Sequence, residues 1–256
     1  MALVAGASEG IGAAFCRRLA AGGMDLVLVA RRKEPLHQLA SSLTAAYAIK
    51  TITLCQDLSE RDAAQNIKDA LRDRDVSMVV YNAAMSFIGP FEKDSLEHNN
   101  RIAFANMITP MNMLHLFGES MLTKGKGAMI LMASLAGFQG SGYLAAYAAT
   151  KAFIRVLAES LWYEWNHRGV DVIACCAGAT ATDNYRRTNP GKSSVFAPRV
   201  QSPEEVVEDC LEKLGKKPSF IAGTGNKVAG FFMQRMLTRA TAIRIMSDTT
   251  RKIYRL

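Results

Sequence analysis

The sequence is poor in the residues that build metal sites and disulfide frameworks. It has five cysteines and four histidines. The cysteine count is odd and shows no CxxC spacing, while the histidines are scattered outside any motif. This pattern argues against a disulfide framework and against a zinc site. We therefore expect reduced cysteines, as in a cytoplasmic protein, and no bound metal.

Long apolar runs and targeting signals are also missing. The longest apolar stretches, such as residues 128–133 and 170–177, have the length of a strand and fall far short of a bilayer span. The chain begins at Met1 directly on a predicted strand, without a charged segment, an apolar core segment or a cleavage site. We therefore expect neither a transmembrane helix nor a secretory signal.

The net charge of +8 permits an anionic partner such as a nucleic acid, an anionic lipid or an acidic carrier protein. No helix-turn-helix, RNP-type or zinc-finger signature accompanies the charge. The simplest interpretation is a solvated basic surface, and we do not expect a nucleic-acid partner.

The 256 residues, 49% of them apolar, suit one well-buried domain. Apolar runs of strand length alternate with longer helical patterns, and no repeat, low-complexity tract or linker interrupts them. This alternation predicts repeated βαβ units. We predict a single α/β domain over residues 1–256 with a doubly wound, Rossmann-type parallel sheet of about seven strands. The predicted strands occupy residues 2–5, 25–30, 51–55, 78–81, 129–133, 170–176 and 220–222.

Functional residues should lie where these strands end, because doubly wound sheets bind cofactors outside the carboxyl ends of their strands. The residues at predicted strand ends are Gly6, Arg31, Asp57, Asn82, Ser134 and Gly178.

The run Tyr147-Ala148-Ala149-Thr150-Lys151 places a phenol and an ammonium four residues apart. If the run is helical, both groups share one face. A nearby cation favours the phenolate and moves the pKa of the tyrosine toward neutrality, where a phenol can transfer protons. Ser134 lies upstream as a hydroxyl donor. The pattern indicates acid/base chemistry, although the spacing alone is typical of many surface pairs.

A glycine-rich turn follows the first predicted strand. It reads Gly6-Ala7-Ser8-Glu9-Gly10-Ile11-Gly12 and leads into an alanine-rich helical pattern. Glycines at such a turn allow positive φ and let a diphosphate approach the backbone N–H groups of the helix N-terminus. The glycine spacing differs from GxGxxG, so an ordinary tight turn is the alternative.

Taken together, these motifs resemble the short-chain dehydrogenase/reductase family over nearly the whole chain. That family has a TGxxxGxG turn, an NNAG segment, an upstream Asn, and a Ser about a dozen residues before YxxxK. The matching positions here are Ala5 to Gly12, Tyr81 to Ala84, Asn106, Ser134, Tyr147 and Lys151. The sequence departs from the family at Ala5, Ala84 and Ala177, where Thr, Gly and Pro are usual.

The resemblance implies a role for each catalytic position. Tyr147 would donate a proton to the carbonyl oxygen in reduction, and Ser134 would hydrogen-bond that oxygen. Lys151 would hold the nicotinamide ribose and lower the pKa of the tyrosine. Asn106 would support a water that connects the lysine to solvent.

The end of the second predicted strand indicates which nicotinamide cofactor is bound. Arg31, Arg32 and Lys33 follow it with no acidic residue at the turn, and an Arg there meets the 2′-phosphate of NADP(H). We therefore predict NADP(H), with Arg31 as the main contact. The cofactor-binding positions implied by the resemblance are Gly6, Ser8, Glu9, Gly10, Ile11, Gly12, Arg31, Arg32, Asp57, Leu58, Asn82, Ala83, Tyr147, Lys151, Gly178, Thr180 and Thr182.

Residues 180–201 are the long stretch without a regular pattern, and we predict that they form a lid over the substrate. The stretch ends at Ser202-Pro203-Glu204-Glu205, a capping box that predicts a helix start. The residues expected to line an apolar substrate pocket are Met85, Phe87, Ile88, Phe91, Phe138, Tyr143, Leu144 and Phe196.

Near the C-terminus, residues 225–247 are predicted to form one basic amphipathic helix. It could cover the pocket, pair with another subunit or lie on a membrane surface. Packing on its own domain or on another subunit is the favoured interpretation, and peripheral membrane contact is the less favoured one.

The sequence thus predicts a cytoplasmic NADP(H)-dependent oxidoreductase. Its substrate would be a carbonyl or secondary alcohol on a bulky hydrophobic molecule, steroid-like or acyl. As in the family, a homodimer or homotetramer is expected. One alternative is a 3-oxoacyl-carrier reductase whose basic face docks an acidic carrier protein. The other is a non-catalytic dinucleotide sensor or scaffold, against which the intact Ser134, Tyr147 and Lys151 argue.

Overall fold

The computed structural model describes residues 1–72, 74–188 and 200–256. Its centre is a parallel sheet of seven strands in the order β3-β2-β1-β4-β5-β6-β7. The strands are β1 (Ala2–Ala5), β2 (Leu26–Ala30), β3 (Thr51–Cys55), β4 (Met78–Tyr81), β5 (Gly127–Ser134), β6 (Val170–Ala177) and β7 (Ser219–Ile221). The predicted doubly wound fold is confirmed.

Ten α-helices are present in the described part of the chain. Their bounds are α1 (Gly10–Ala21), α2 (Lys33–Tyr47), α3 (Ala63–Leu71), α4 (Leu96–Ala103), α5 (Thr109–Lys124), α6 (Ala145–Asn166), α7 (Asp183–Arg187), α8 (Pro203–Lys213), α9 (Thr224–Arg235) and α10 (Arg239–Tyr254). None of the helices in the described segments is long and apolar enough to cross a membrane.

The central strands are buried on both faces because helices cover both sides of the sheet. Every residue of β1 and β2 is buried, which explains why these strands read as continuous apolar runs and not as alternating ones. One core contains Phe15 of α1 and Ile130 of β5, and the opposite core contains Phe117 of α5 and Leu131 of β5. The side chains of neighbouring residues in one strand thus pack into the cores on opposite faces of the sheet.

The predicted strands lie within two residues of the observed ones. The largest difference is in β5, predicted over residues 129–133 and observed from Gly127 to Ser134. Parallel pairing with β6 extends it at both ends, from Gly127 opposite Val170 to Ser134 opposite Ala177. Tertiary pairing, which the local pattern does not encode, sets these ends.

The predicted helix over residues 225–247 is wrong in one respect, because the structure divides it into α9 and α10. The break lies at Met236 to Thr238. Thr238 has an extended backbone, and its side chain accepts a hydrogen bond from Thr241 N, so it caps a new helix.

The segment predicted as a lid starts and ends in defined structure. Ala181 N donates to Gln201 O at 2.8 Å and Gln201 N donates to Ala179 O at 3.1 Å, which holds the two ends together. The short helix α7 lies within the segment, and residues 189–199 fall outside the described residues. The predicted capping box of Ser202 and Glu205 is present and starts α8.

Candidate active site

A cleft of about 750 Å³ opens along the carboxyl edge of the sheet. Sixteen of the seventeen predicted cofactor-binding residues border it, all except Gly12, together with the predicted catalytic residue Ser134. Six different loops meet in this cleft, as the topology of a doubly wound sheet requires.

The glycine turn between β1 and α1 closes by direct backbone packing. Gly6 and Gly10 have φ values of +81° and +58°, a region that side chains disfavour. A Cβ on Gly12 would lie 2.0 Å from Gly6 O. Gly12 therefore shapes the turn and is not among the residues that border the cleft, and its contact with the cofactor stays a prediction.

The segment after β4 fixes this turn from the other side. The Asn82 side-chain amide donates to Gly6 O at 3.0 Å, and Ala83 N donates to Ala5 O at 3.0 Å. A Cβ on Gly6 would lie 2.7 Å from Ala83 N. The turn and the β4 loop thus form one rigid wall, which is the pre-organised geometry that a diphosphate site needs.

Two arginines converge on Glu9 above the turn. Arg32 lies 2.7 Å from one carboxylate oxygen and Arg187 of α7 lies 2.6 Å from the other. Burial alone would raise the pKa of Glu9, but pairing with Arg187 and Arg32 lowers it below its ordinary value. Arg187 was not among the sequence predictions. No local pattern identifies it, because its partner lies 178 residues away.

Arg31 differs from Arg32 in that no ion pair holds it among the described residues. It is exposed, borders the cleft and contributes to the lowered pKa of Asp57. Asp57 itself pairs with Arg101 at 2.9 Å and accepts hydrogen bonds from Ser59. The guanidinium of Arg31 is therefore free to meet an anion at the end of β2.

Tyr147 and Ser134 meet at the inner end of the cleft. Ser134 ends β5, where its hydroxyl accepts from Ala136 N at 3.2 Å and starts a 3-10 turn. Burial raises the pKa of Tyr147, and the hydrogen bond with Ser134 opposes that effect without cancelling it. The phenol is therefore protonated at neutral pH, the state that a general acid requires.

Lys151 lies one turn along α6 from Tyr147, as the spacing predicts. Its ammonium lies 5.6 Å from the centre of the tyrosine ring and donates to Met132 O at 2.6 Å. Burial lowers the pKa of Lys151 to about 8. The expected lowering of the tyrosine pKa by Lys151 is absent from this structure, where burial of the phenol has the larger effect.

Asn106 lies beneath the cleft. It is 1% exposed and belongs to a π-helical segment, Phe104–Ile108, between α4 and α5. Its amide oxygen accepts from Met85 N at 2.8 Å, while its nitrogen donates to Met85 O at 2.8 Å and to Thr150 Oγ1 at 3.0 Å. Asn106 joins the β4 loop to α6 at the turn that holds Tyr147 and Lys151. Its side chain is thus occupied by these contacts.

The loop after β6 forms the far wall. Thr182 caps α7 by accepting from Tyr185 N at 3.1 Å, and its methyl group packs against Gly10. Thr180 donates to Gly178 O at 3.1 Å. Both threonines border the cleft, although their hydroxyl groups already serve the local backbone.

Part of the expected apolar lining borders the cleft, and its contact with a substrate stays a prediction. Met85, Ile88 and Leu144 border the cleft, while Phe196 lies outside the described residues. Phe87, Phe91, Phe138 and Tyr143 do not border it. Phe138 instead packs against the guanidinium of Arg155 at 4.7 Å.

Two tyrosines that the sequence did not single out complete the substrate side. Tyr254, near the end of α10, and Tyr185 of α7 both border the cleft. Tyr254 contributes to the raised pKa of Tyr147 and of Tyr185, so the three phenols lie near one another. The spacing of 107 residues between Tyr147 and Tyr254 offers no sequence signal for this contact.

Comparison with known proteins agrees with this geometry. The family model for short chain dehydrogenases matches residues 1–193. The chain belongs to the short-chain dehydrogenase family. The predicted family and the predicted reaction class, oxidoreduction between CH–OH and C=O, are therefore confirmed.

Individual relatives of this short-chain dehydrogenase include hydroxysteroid enzymes. It is 35% identical to a 7β-hydroxysteroid dehydrogenase of Clostridium sardiniense over 225 residues, which cover 88% of this chain and 86% of the relative. A solved structure from work on 7β-hydroxysteroid dehydrogenase stereoselectivity has a TM-score of 0.90 and 32% identity, and the match covers 96% of this chain and 95% of the other. A Sphingobium yanoikuyae short-chain dehydrogenase in complex with NADPH has a TM-score of 0.77 and 29% identity, with 86% of each chain covered.

The described residues contain no group of three or more His, Cys, Asp or Glu side chains placed to hold a metal ion. The side chains of Ser134, Tyr147 and Lys151 bring a hydroxyl, a phenol and an ammonium group to the border of the cleft.

Proposed function

We propose that this short-chain dehydrogenase uses NADP(H) to interconvert a ketone and a secondary alcohol on a bulky, steroid-like substrate. The observation that supports it most directly is the convergence of Ser134, Tyr147 and Lys151 in one cleft with the glycine turn. The similarity to 7β-hydroxysteroid dehydrogenases over most of both chains supports the substrate class.

The cleft fits a dinucleotide. Its volume of about 750 Å³ exceeds what a small substrate needs, and Gly6 and Gly10 leave the backbone open where a diphosphate approaches. When bound, the cofactor supplies or accepts the hydride. Asn82 and Ala83 keep the turn in its binding shape, while Lys151 would hold the nicotinamide ribose in exchange for its contact with Met132 O.

Tyr147 donates the proton to the carbonyl oxygen during reduction and removes it from the alcohol during oxidation. Its raised pKa keeps the phenol protonated at neutral pH, which suits reduction. Ser134 donates to the same oxygen and stabilises the negative charge that develops there. Asn106 and Thr150 act by positioning, because they hold the helix turn on which Tyr147 and Lys151 lie.

Arg31 selects NADP(H) over NAD(H). Its unpaired guanidinium lies at the end of β2, where the 2′-phosphate is bound in doubly wound folds. The nearby Arg32 is engaged with Glu9 at 2.7 Å, so it is the secondary contact. The NADPH complex of the Sphingobium yanoikuyae relative supports the same cofactor.

The substrate side combines apolar and hydroxyl groups. Met85, Ile88 and Leu144 offer apolar contact, while the phenols of Tyr185 and Tyr254 offer hydrogen bonds. A steroid presents an extended apolar surface with few polar groups, and this lining matches it. A small polar ketone would leave much of the lining in contact with water.

Self-association is part of the proposal, as a homodimer or homotetramer. Met111 of α5 and Val156 of α6 are 38% and 51% exposed, which is unfavourable for large apolar side chains in an isolated chain. All five cysteines are free, which supports a reducing compartment such as the cytoplasm. Light scattering on Val156→Asp, compared with the wild type, tests the contact between subunits.

The decisive experiment follows NADPH oxidation with 7-keto-steroids, other keto-steroids, acyl thioesters and small ketones. The expected result is fastest turnover with a keto-steroid. Tyr147→Phe should lower kcat by about a hundred- to ten-thousandfold while leaving NADPH affinity nearly unchanged. Tyr163→Phe, at an exposed tyrosine of the same helix, is the matched control. If Tyr147→Phe keeps more than about a tenth of the wild-type kcat on the best ketone, the assigned role is wrong.

A further inference from the structure

The outward face of α9 is apolar, which is the reverse of an ordinary surface helix. Its buried positions are Asn226 and Gly230, whereas Val228, Phe231 and Phe232 are 66%, 63% and 53% exposed. Met236, which follows the helix, is 64% exposed. These four side chains recur at the spacing of one helical face. A surface helix packed only on its own domain would place such residues inward.

The same region has a large excess of positive over negative side chains. Residues 222–256 contain seven Lys or Arg residues and one Asp, a net charge of +6 out of +8 for the whole chain. Arg235 lies at the end of α9 and Arg244 lies in α10, and both are exposed. Neither takes part in an ion pair within the described ranges. The apolar face is therefore accompanied by unneutralised cations.

The helices α9 and α10 are anchored to the rest of the domain through α10. The hydroxyl of Ser247 accepts from Gly142 N at 2.8 Å, and Arg239 donates to Phe138 O at 3.2 Å. Near its end, α10 also supplies Tyr254 to the cleft. The apolar face thus belongs to a helix pair that is fixed beside the substrate side of the site.

We propose that the face formed by Val228, Phe231, Phe232 and Met236 docks on an anionic membrane surface. An interfacial helix places aromatic and aliphatic side chains among the acyl chains, while Lys and Arg contact anionic headgroups. In this structure the exposed apolar side chains lie on α9, and the exposed arginines Arg235 and Arg244 lie on α9 and the adjoining α10.

A lipid surface fits these observations better than an acidic carrier protein. The carrier would neutralise Arg235 and Arg244, but its charged surface would leave Phe231 and Phe232 in contact with water. An anionic bilayer satisfies the cations and buries the apolar side chains at the same time. It would also be the phase in which a bulky apolar substrate concentrates, which places the docking surface beside the site that consumes it.

The test is co-sedimentation of the full chain with phosphatidylglycerol–phosphatidylcholine vesicles and with pure phosphatidylcholine vesicles. Wild type should bind the anionic vesicles, and added salt should weaken binding. Phe231→Ser combined with Phe232→Ser should lower the partition coefficient by about tenfold or more, because it removes the inserted side chains. Arg235→Gln combined with Arg244→Gln should lower it by about thirtyfold.

Matched controls lie elsewhere on the molecule. Tyr47→Ser removes an aromatic residue that is 40% exposed on α2, beside the opposite edge of the sheet. Arg61→Gln combined with Arg74→Gln removes the same charge as the arginine pair above. Both controls should bind the anionic vesicles as the wild type does. Circular dichroism and turnover of a water-soluble ketone check that every variant is folded.

Three results would overturn the proposal. The first is a wild type that does not bind anionic vesicles. The second is equal binding by the phenylalanine double variant, which would reduce the interaction to surface charge. The third is a lower oligomeric mass of that variant in light scattering without vesicles, which would assign the face to a second copy of this chain.

Discussion

Lys151 gives the sharpest stability prediction, because it is a buried cation whose only described hydrogen-bond acceptor is a backbone carbonyl. It is 4% exposed, and burial lowers its pKa from 10.5 to about 8. Between these two values the unfolded chain keeps a proton that the folded chain has lost. The free energy of unfolding contributed by Lys151 therefore rises with pH across this window.

The magnitude follows from the pKa difference. A shift of about 2.5 units corresponds to about 3.4 kcal/mol once the pH is above both values. Between pH 7 and pH 9.5 the gain is about 2 kcal/mol, because most of the window has been crossed. Below pH 7 the contribution is constant, since Lys151 is charged in both states.

The comparison is between the wild type and Lys151→Met, which keeps the length of the side chain and removes the charge. Urea unfolding at pH 7 and at pH 9.5, followed by the fluorescence of Trp162 and Trp165, gives both free energies. Every other titratable group is present in both proteins. The difference between their free energies of unfolding therefore isolates the contribution of Lys151. We expect the wild type to gain about 2 kcal/mol relative to the variant between the two pH values.

Lys126→Met, at an exposed lysine, is the control and should show no such relative change. A difference between the wild type and Lys151→Met that stays constant within about 0.5 kcal/mol over this window would refute the reasoning. It would mean that the ammonium is solvated in the folded protein.

Three further outcomes are expected. Arg31→Asp should reverse a preference for NADP(H) over NAD(H) of at least about tenfold in kcat/KM, because it removes a charge-assisted phosphate contact. Thr150→Val should lower the free energy of unfolding by about 1 to 3 kcal/mol in urea titration, because it leaves the buried amide of Asn106 without one acceptor. Gly12→Ala should abolish measurable NADPH binding by fluorescence quenching, because its Cβ would lie 2.0 Å from Gly6 O and force the turn open.

Each of these predictions has a matched control. Arg168→Asp places the same charge change at an exposed residue before β6, which does not border the cleft, and should keep the cofactor preference. Thr150→Ser retains the hydroxyl and should recover most of the lost stability. Gly22→Ala meets its nearest atom at 3.3 Å and should bind NADPH normally. Equal cofactor kinetics in the wild type, full stability of Thr150→Val or normal binding by Gly12→Ala would contradict the respective argument.

The sequence by itself determined the sheet and the position of the site. Buried parallel strands consist largely of apolar residues, and such apolar runs occur in the sequences of β1, β2 and β6. The topology then forces the residues at the strand ends to one edge. Tyr147 and Lys151 share one helix, so their mutual placement follows from local spacing alone.

Contacts between residues far apart in the chain were decided only by the tertiary structure. The pairing of Arg187 with Glu9 and the approach of Tyr254 to Tyr147 depend on how separate helices pack, and no local pattern encodes it. The hydrogen bonds of Asn106 were unpredictable for the same reason. Its amide contacts Met85 and Thr150 only because the β4 loop and α6 pack together in the folded chain.

The tertiary structure also decided the ionisation of Tyr147 and the exposure of the apolar face of α9. The spacing of Tyr147 and Lys151 predicted a lowered pKa for the tyrosine, but desolvation depends on every atom around the phenol and reverses the sign. An amphipathic pattern likewise shows that the C-terminal region has an apolar face. Only the packing of Asn226 and Gly230 against the domain shows that this face points outward.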